Sequence, residues 1–245
     1  ARAFHAAGFT REETAEALGK LEPAQVELLD TGRASGEMSA YGFYFRYVPY
    51  LFLSVLCYVM GNVISAFRKG DLPKRMRACA VSGRRQSVEG LLAAATLGLC
   101  LWALSIAGAF FWYRDSLTER GGVVYFLLNT LLMMLVALTI SYLVGLFVHG
   151  KNAVNTLNGI VNVLSLGLCF LCGVFVPLEI MSKRVKAVSQ FLPVYWYEVV
   201  NEYLVEFGNV TGEAKQAVLQ GLGMQLIFVA ALVCVTLTVS KWKRV

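Results

Sequence analysis

The residues able to do chemistry in this chain fall into four groups. In "NAVNTLNGIVN", Asn152, Asn155, Asn158 and Asn162 recur at spacings of three, three and four, which puts them on one helical face. Asn62 adds another amide within an apolar run. In a bilayer, Asn152 and Asn155 can cap a helix while the deeper amides bind neighbouring helices. Alternatively, the amide face lines a wet path or a seam between subunits. Both readings stay open for Asn62, Asn155, Asn158 and Asn162. Glu198, Glu202 and Glu206 stand at i, i+4 and i+8. Like charges at that spacing repel, so the stripe reads as a solvated helix face rather than a cation-attracting vestibule. Cys169 and Cys172 have CxxC spacing without partner ligands. With Cys57, Cys100 and Cys234, also in apolar runs, they read as inert buried thiols. The last group is "RKGDLPKRMRACAVSGRRQ", where seven Lys or Arg fall between Arg68 and Glu89 against two acids, Asp71 and Glu89.

Most catalytic classes lack their residues. The only histidines are His5 and His149, and no HExxH, GxSxG or Walker A sequence is present. Ion-driven transporters need ionisable relays inside the membrane. The five longest uncharged runs contain no Asp, Glu, Lys, Arg or His. If cargo moves uphill, the energy comes from elsewhere. The chain is expected to be no enzyme, to bind no metal or cofactor itself, and to bind no nucleic acid.

The elements that must position these groups are membrane helices. The 245 residues are 57% hydrophobic and 16% charged, where a soluble domain carries about 25% charged. Mean hydropathy is +0.60. The uncharged runs 47–67, 90–113, 121–148, 152–178 and 216–240 hold 21, 24, 28, 27 and 25 residues. About 20 residues at about 1.5 Å each cross the hydrocarbon core, so each run is long enough. The expected fold is an all-α integral membrane protein. A transmembrane domain, 43–245, carries five helices at about 43–67, 90–113, 122–148, 154–177 and 217–240. A short external head, 1–42, precedes it.

Orientation follows from Lys and Arg. With the first connecting loop cytoplasmic, 68–89, 149–151 and the tail "KWKRV" hold eleven Lys or Arg in 30 residues, against eleven in 90 on the other side. The head and the loop 179–215 are therefore expected outside and the C-terminus in the cytoplasm of a cell membrane, a bacterial plasma membrane being the expected setting. Thr10 and Glu13 offer a capping box for a short helix in the head. Residue 1 is Ala and no signal peptide precedes the head. The chain thus reads as a C-terminal portion that lacks at least one helix. Val185, Val188 and Leu192, then Trp196, Val199, Tyr203 and Phe207, repeat at three to four in the loop 179–215. That periodicity describes amphipathic or re-entrant helices before the last span.

The order of these parts carries a resemblance. A basic loop follows the first helix, and "GVFVPLEIM" breaks the fourth at its outer end with Pro177. "FLPVYWYEVVNEYL" comes next, before a last helix ending in "KWKRV". With a G-x-F-x-P motif (Gly173, Phe175, Pro177) and an L-P-x-x-W motif (Leu192, Pro193, Trp196), nearly the whole chain resembles an ABC-2-type transporter permease. That is the membrane subunit of an ATP-driven exporter. The resemblance implies six helices with a large external domain between the first two. The chain would match the end of that domain and helices two to six. It implies a cytoplasmic ABC ATPase that binds ATP and magnesium, and a second permease in a homo- or heterodimer. It further implies a path lined by the first and fourth helices here, with an outer gate at Gly173, Phe175 and Pro177.

The basic loop then becomes a coupling element docked on the ATPase. Asp71 and Pro73 suit the start of a short helix. Leu72, Met76 and Cys79 form its apolar side, and Lys74, Arg75 and Arg77 are available for acidic groups of the partner. The other reading is a topology signal that also touches anionic membrane lipid. Outside the transporter class stands a non-transporting membrane scaffold or cell-surface binding protein.

Overall fold

The computed structural model describes residues 39–67, 83–119, 122–148, 153–207 and 212–242. The head up to residue 38, the loop carrying Asp71, Leu72, Pro73, Lys74, Arg75, Met76 and Arg77, and Asn152 lie outside the described residues. The described elements are all helical. They are α1 (Ala40–Phe67), α2 (Gly83–Glu119), α3 (Val123–Phe147), α4 (Ala153–Leu171), α5 (Lys183–Ser189), α6 (Pro193–Phe207) and α7 (Gly212–Trp242), with a 3-10 turn at Leu178–Ile180. Among the described residues, five helices are long and apolar enough to cross a membrane: α1, α3, α4, and the stretches Leu92–Thr118 of α2 and Ala214–Ser240 of α7.

α3 is the centre, packing on α1, α2, α6 and α7. Lipid tails are as apolar as Leu, so contact between such helices comes from close packing rather than from escape from water. Small residues supply it. A Cβ at Gly145 would fall 2.5 Å from Ile64 Cδ1, and one at Gly221 would fall 2.4 Å from Val200 Cγ2. Around these approaches Phe45, Phe52, Leu53, Leu56, Met133 and Met134 are fully enclosed. Truncating one such Leu or Met to Ala costs about 2–5 kcal/mol. Buried polar groups tie the same helices. Tyr44 donates to the Ser105 carbonyl (2.6 Å), linking α1 to α2. Trp102 Nε1 donates to Thr130 Oγ1 (3.0 Å), linking α2 to α3. Leu104, Phe111, Val163 and Ile227 point outward, as lipid-facing side chains do.

α4 ends at Leu171, six residues short of the expected helix end at 177. The cause is Gly173, at φ +98, a conformation open to glycine because it lacks a Cβ. Val174 N donates to the Cys169 carbonyl (3.1 Å), closing the helix with the six-to-one bond of a Schellman cap. Beyond it, Ser182 Oγ caps α5 by accepting from Val185 N (3.4 Å), and Ser189 Oγ returns a bond to the Leu171 carbonyl. Pro193, which lacks a backbone N–H, opens α6 at the position where that loss is harmless. α6 packs on α1, α3, α4 and α7, so one side of it is built into the bundle.

Candidate functional site

α1 and α4 meet along an antiparallel seam with three levels. At one end a Cβ at Gly61 would fall 2.3 Å from Leu157 Cδ1, so the helices touch. In the middle they part around an open groove of about 460 Å³, lined by Ser54, Val55, Tyr58, Val59, Asn158, Val161 and Asn162. The Ser54 hydroxyl is buried there with no hydrogen-bond partner among the described residues. Asn158 and Asn162 are exposed. They stand five and nine residues into α4, about 8 and 14 Å along its axis, and an unpaired amide at membrane depth costs free energy. No ionisable side chain other than Tyr58 lines the groove.

At the other end the seam is covered by aromatic rings. Phe175 meets Phe170 of α4 (4.8 Å between ring centroids) and Tyr50 and Tyr47 of α1 (5.4 and 5.8 Å). Its turn is tight, because a Cβ at Gly173 would fall 2.6 Å from Leu178 Cδ2 and 3.3 Å from Glu198 Cγ. Pro177, exposed, stops α4 from resuming.

Of the sequence candidates, the structure brings Asn158 and Asn162 together in the groove and places Phe175 above it. Asn155 is exposed on α4 but does not line the groove. Asn62 Nδ2 donates to the Tyr58 carbonyl (2.8 Å) and so serves its own helix. The thiols divide: Cys57, Cys169 and Cys172 are buried, whereas Cys100 and Cys234 are exposed on α2 and α7, against the expectation that all five are buried. Among the described residues no three His, Cys, Asp or Glu gather closely enough to hold a metal ion.

The solvated reading of the carboxylate stripe fails at its first member. Glu198 is fully buried. Arg46 Nε donates to Glu198 Oε1 at 2.5 Å and Arg46 Nη2 donates to Glu202 Oε1 at 3.0 Å. α1 begins at Ala40, ahead of the uncharged run, and that carries Arg46 into the bundle at 5% exposure. A second tie lies beside it. Pro49 has no N–H to give the carbonyl four residues earlier, that of Phe45. Tyr197 fills the vacancy, its hydroxyl donating to the Phe45 carbonyl at 2.6 Å. The Tyr197 carbonyl accepts from Asn129 Nδ2 (3.2 Å), and Asn129 Oδ1 accepts from Gln225 Nε2 (2.7 Å). α6 is thereby joined to α1, α3 and α7 by buried polar groups. Pro49 inside an apolar run was the available signal for this network. A proline there frees a carbonyl that some neighbour must satisfy.

A family model described as ABC-2 family transporter protein matches residues 5–238. No curated protein and no solved structure matches the chain. The five apolar spans and the helix broken at Gly173 agree with that match, which covers nearly the whole chain, and the protein therefore belongs to the ABC-2 family of membrane transporters.

Proposed function

We propose that this permease forms the translocation path of an ATP-driven exporter, with α1 and α4 lining the path and a separate cytoplasmic ATPase supplying the energy. The observation that carries the reading is the α1–α4 groove: uncharged hydrogen-bonding groups, one of them a buried unpartnered hydroxyl, stand on two largely apolar helices. A second permease, of the same or another sequence, faces this seam to complete the path. Gly173, Phe175 and Pro177 form its outer gate. The Lys and Arg bias puts the turn after α4 outside the cell and the loop 68–89 inside, where Leu72 and Met76 dock on the ATPase and Lys74, Arg75 and Arg77 meet acidic groups at its rim.

The path is tested with a charged, membrane-impermeant thiol reagent on Asn158→Cys and Asn162→Cys, in a background whose native cysteines are changed to Ala. Val163→Cys, at a lipid-facing position of 75% exposure, is the control. Both groove sites should react much faster than the control. Equal rates at all three would remove the path. Docking is tested by co-purification of the ATPase with a Leu72→Ser, Met76→Ser variant, which keeps every positive charge. Two apolar contacts at about 1.5–3 kcal/mol each predict a loss of affinity on the order of 100-fold or more. Full retention of the ATPase would reduce the loop to a topology signal.

A further inference from the structure

Among the described side chains Glu198 is the only buried carboxylate and Arg46 the only buried cation. Glu198 also lies against the turn after α4, since its Cγ lies 3.3 Å from where a Cβ on Gly173 would stand. Arg46, its partner, directly precedes Tyr47, on which Phe175 packs. One buried carboxyl thus links α6, α1 and the turn that covers the groove. Its second oxygen, Oε2, meets no hydrogen-bond partner in bonding geometry among the described residues, and the Asn201 amide beside it on α6 is likewise buried and unpartnered. A carboxylate with an unsatisfied buried oxygen is costly, and a proton removes that cost.

We propose that Glu198 is a positioning residue whose bound proton keeps the turn 173–175 closed over one end of the α1–α4 seam. The charged and titratable groups around it are Arg46 from α1, Cys169 and Cys172 from the end of α4, and Tyr197 and Glu202 on α6 itself. α3 and α7 bring the uncharged Asn129 and Gln225 to the neighbouring Tyr197 carbonyl. Burial pushes the Glu198 carboxyl up to about 8, against the pull of Arg46. Opening the turn admits water and returns the group toward its ordinary 4.5. The closed form therefore holds a proton that the open form releases. Closure is fully favoured below 4.5 and is lost as pH rises through about 8.

This inference rests on the seam being the path, and the two can fail separately. The readout is modification of Cys172 by the charged thiol reagent, in isolated membranes opened to both sides. Cys57, Cys79, Cys100, Cys169 and Cys234 are changed to Ala. Ile180→Cys with Cys172→Ala in the same background is exposed and corrects for the pH dependence of the reagent. The corrected rate should rise about tenfold or more between about pH 6 and pH 8, since each pKa unit is worth a factor of about ten. Glu198→Gln keeps the bond to Arg46 but cannot ionise, so its rate should stay low and flat. Arg46→Gln removes the pull that favours ionisation, so its rise should move to higher pH. A flat parent profile overturns the proposal. So does Glu198→Gln that reacts fast at every pH, which is what a merely structural pair would give. A rising profile with unreactive sites at 158 and 162 removes the path and leaves the closure. A flat profile with reactive sites there removes the closure and leaves the path.

Discussion

Two polar regions interrupt the apolar helices of this permease, and they are built in opposite ways. Beneath α6 the polar groups include an arginine with two acidic partners, are mostly buried, and are mostly satisfied by partners from other helices. Along the α1–α4 seam they are uncharged, and its amides are exposed. The difference follows from desolvation. An unpaired ion in a low-dielectric setting costs several kcal/mol, so Arg46 can lie within the bundle only with Glu198 and Glu202 beside it. An amide costs less to leave waiting, and it both donates and accepts, so Asn158 and Asn162 can stand open for a neighbour or a cargo. The first region holds helices in register. The second keeps hydrogen-bonding capacity in reserve.

Substitutions should separate the two regions by size of effect. Glu198→Leu removes the acceptor of Arg46 Nε and leaves Glu202 as its acidic partner, which should cost about 3 kcal/mol, read as a large fall in thermal stability of the purified protein in nanodiscs. Glu198→Gln, which keeps the acceptor, should cost about 1 kcal/mol. Equal losses for the two would mean that the bond accepted from Arg46 holds nothing and would dissolve the contrast. Gly173→Ala comes next. Its φ of +98 and the approach of Leu178 predict about 1–3 kcal/mol, with faster labelling of Cys172 as the turn loosens. Unchanged stability there would show that the turn carries no strain. The smallest effect belongs to the seam. Asn158→Leu with Asn162→Leu should leave thermal stability within about 0.5 kcal/mol, because these exposed amides hold nothing together. A loss comparable to that of Glu198→Leu would make the amides structural and erase the difference between the regions.

Much of the architecture was legible along the chain. Uncharged runs of 21 to 28 residues mark all five spans, since crossing a bilayer is a requirement on consecutive residues. That the fourth helix breaks at its outer end was legible from Pro177, but the break falls six residues earlier than expected, at the Gly173 turn. The amide face of α4 showed in its spacing. Spacing alone could not tell that Asn158 and Asn162 share a groove with Ser54 and Tyr58 while Asn155 and Asn62 do not, because that depends on where α1 crosses α4.

The carboxylate stripe shows where local reasoning ends. Glu198, Glu202 and Glu206 have the same i, i+4, i+8 spacing whether their helix faces water or a buried arginine, so periodicity is silent between the two. Arg46 sits one residue outside the first uncharged run, where nothing local marks it as buried. Its partner Glu198 is 152 positions away. Hydropathy and helical period are sums over neighbours in the chain, and they determined the five spans. Which charges are desolvated, and which partners make that tolerable, depends on contacts between helices far apart in sequence. The tertiary structure alone decided that.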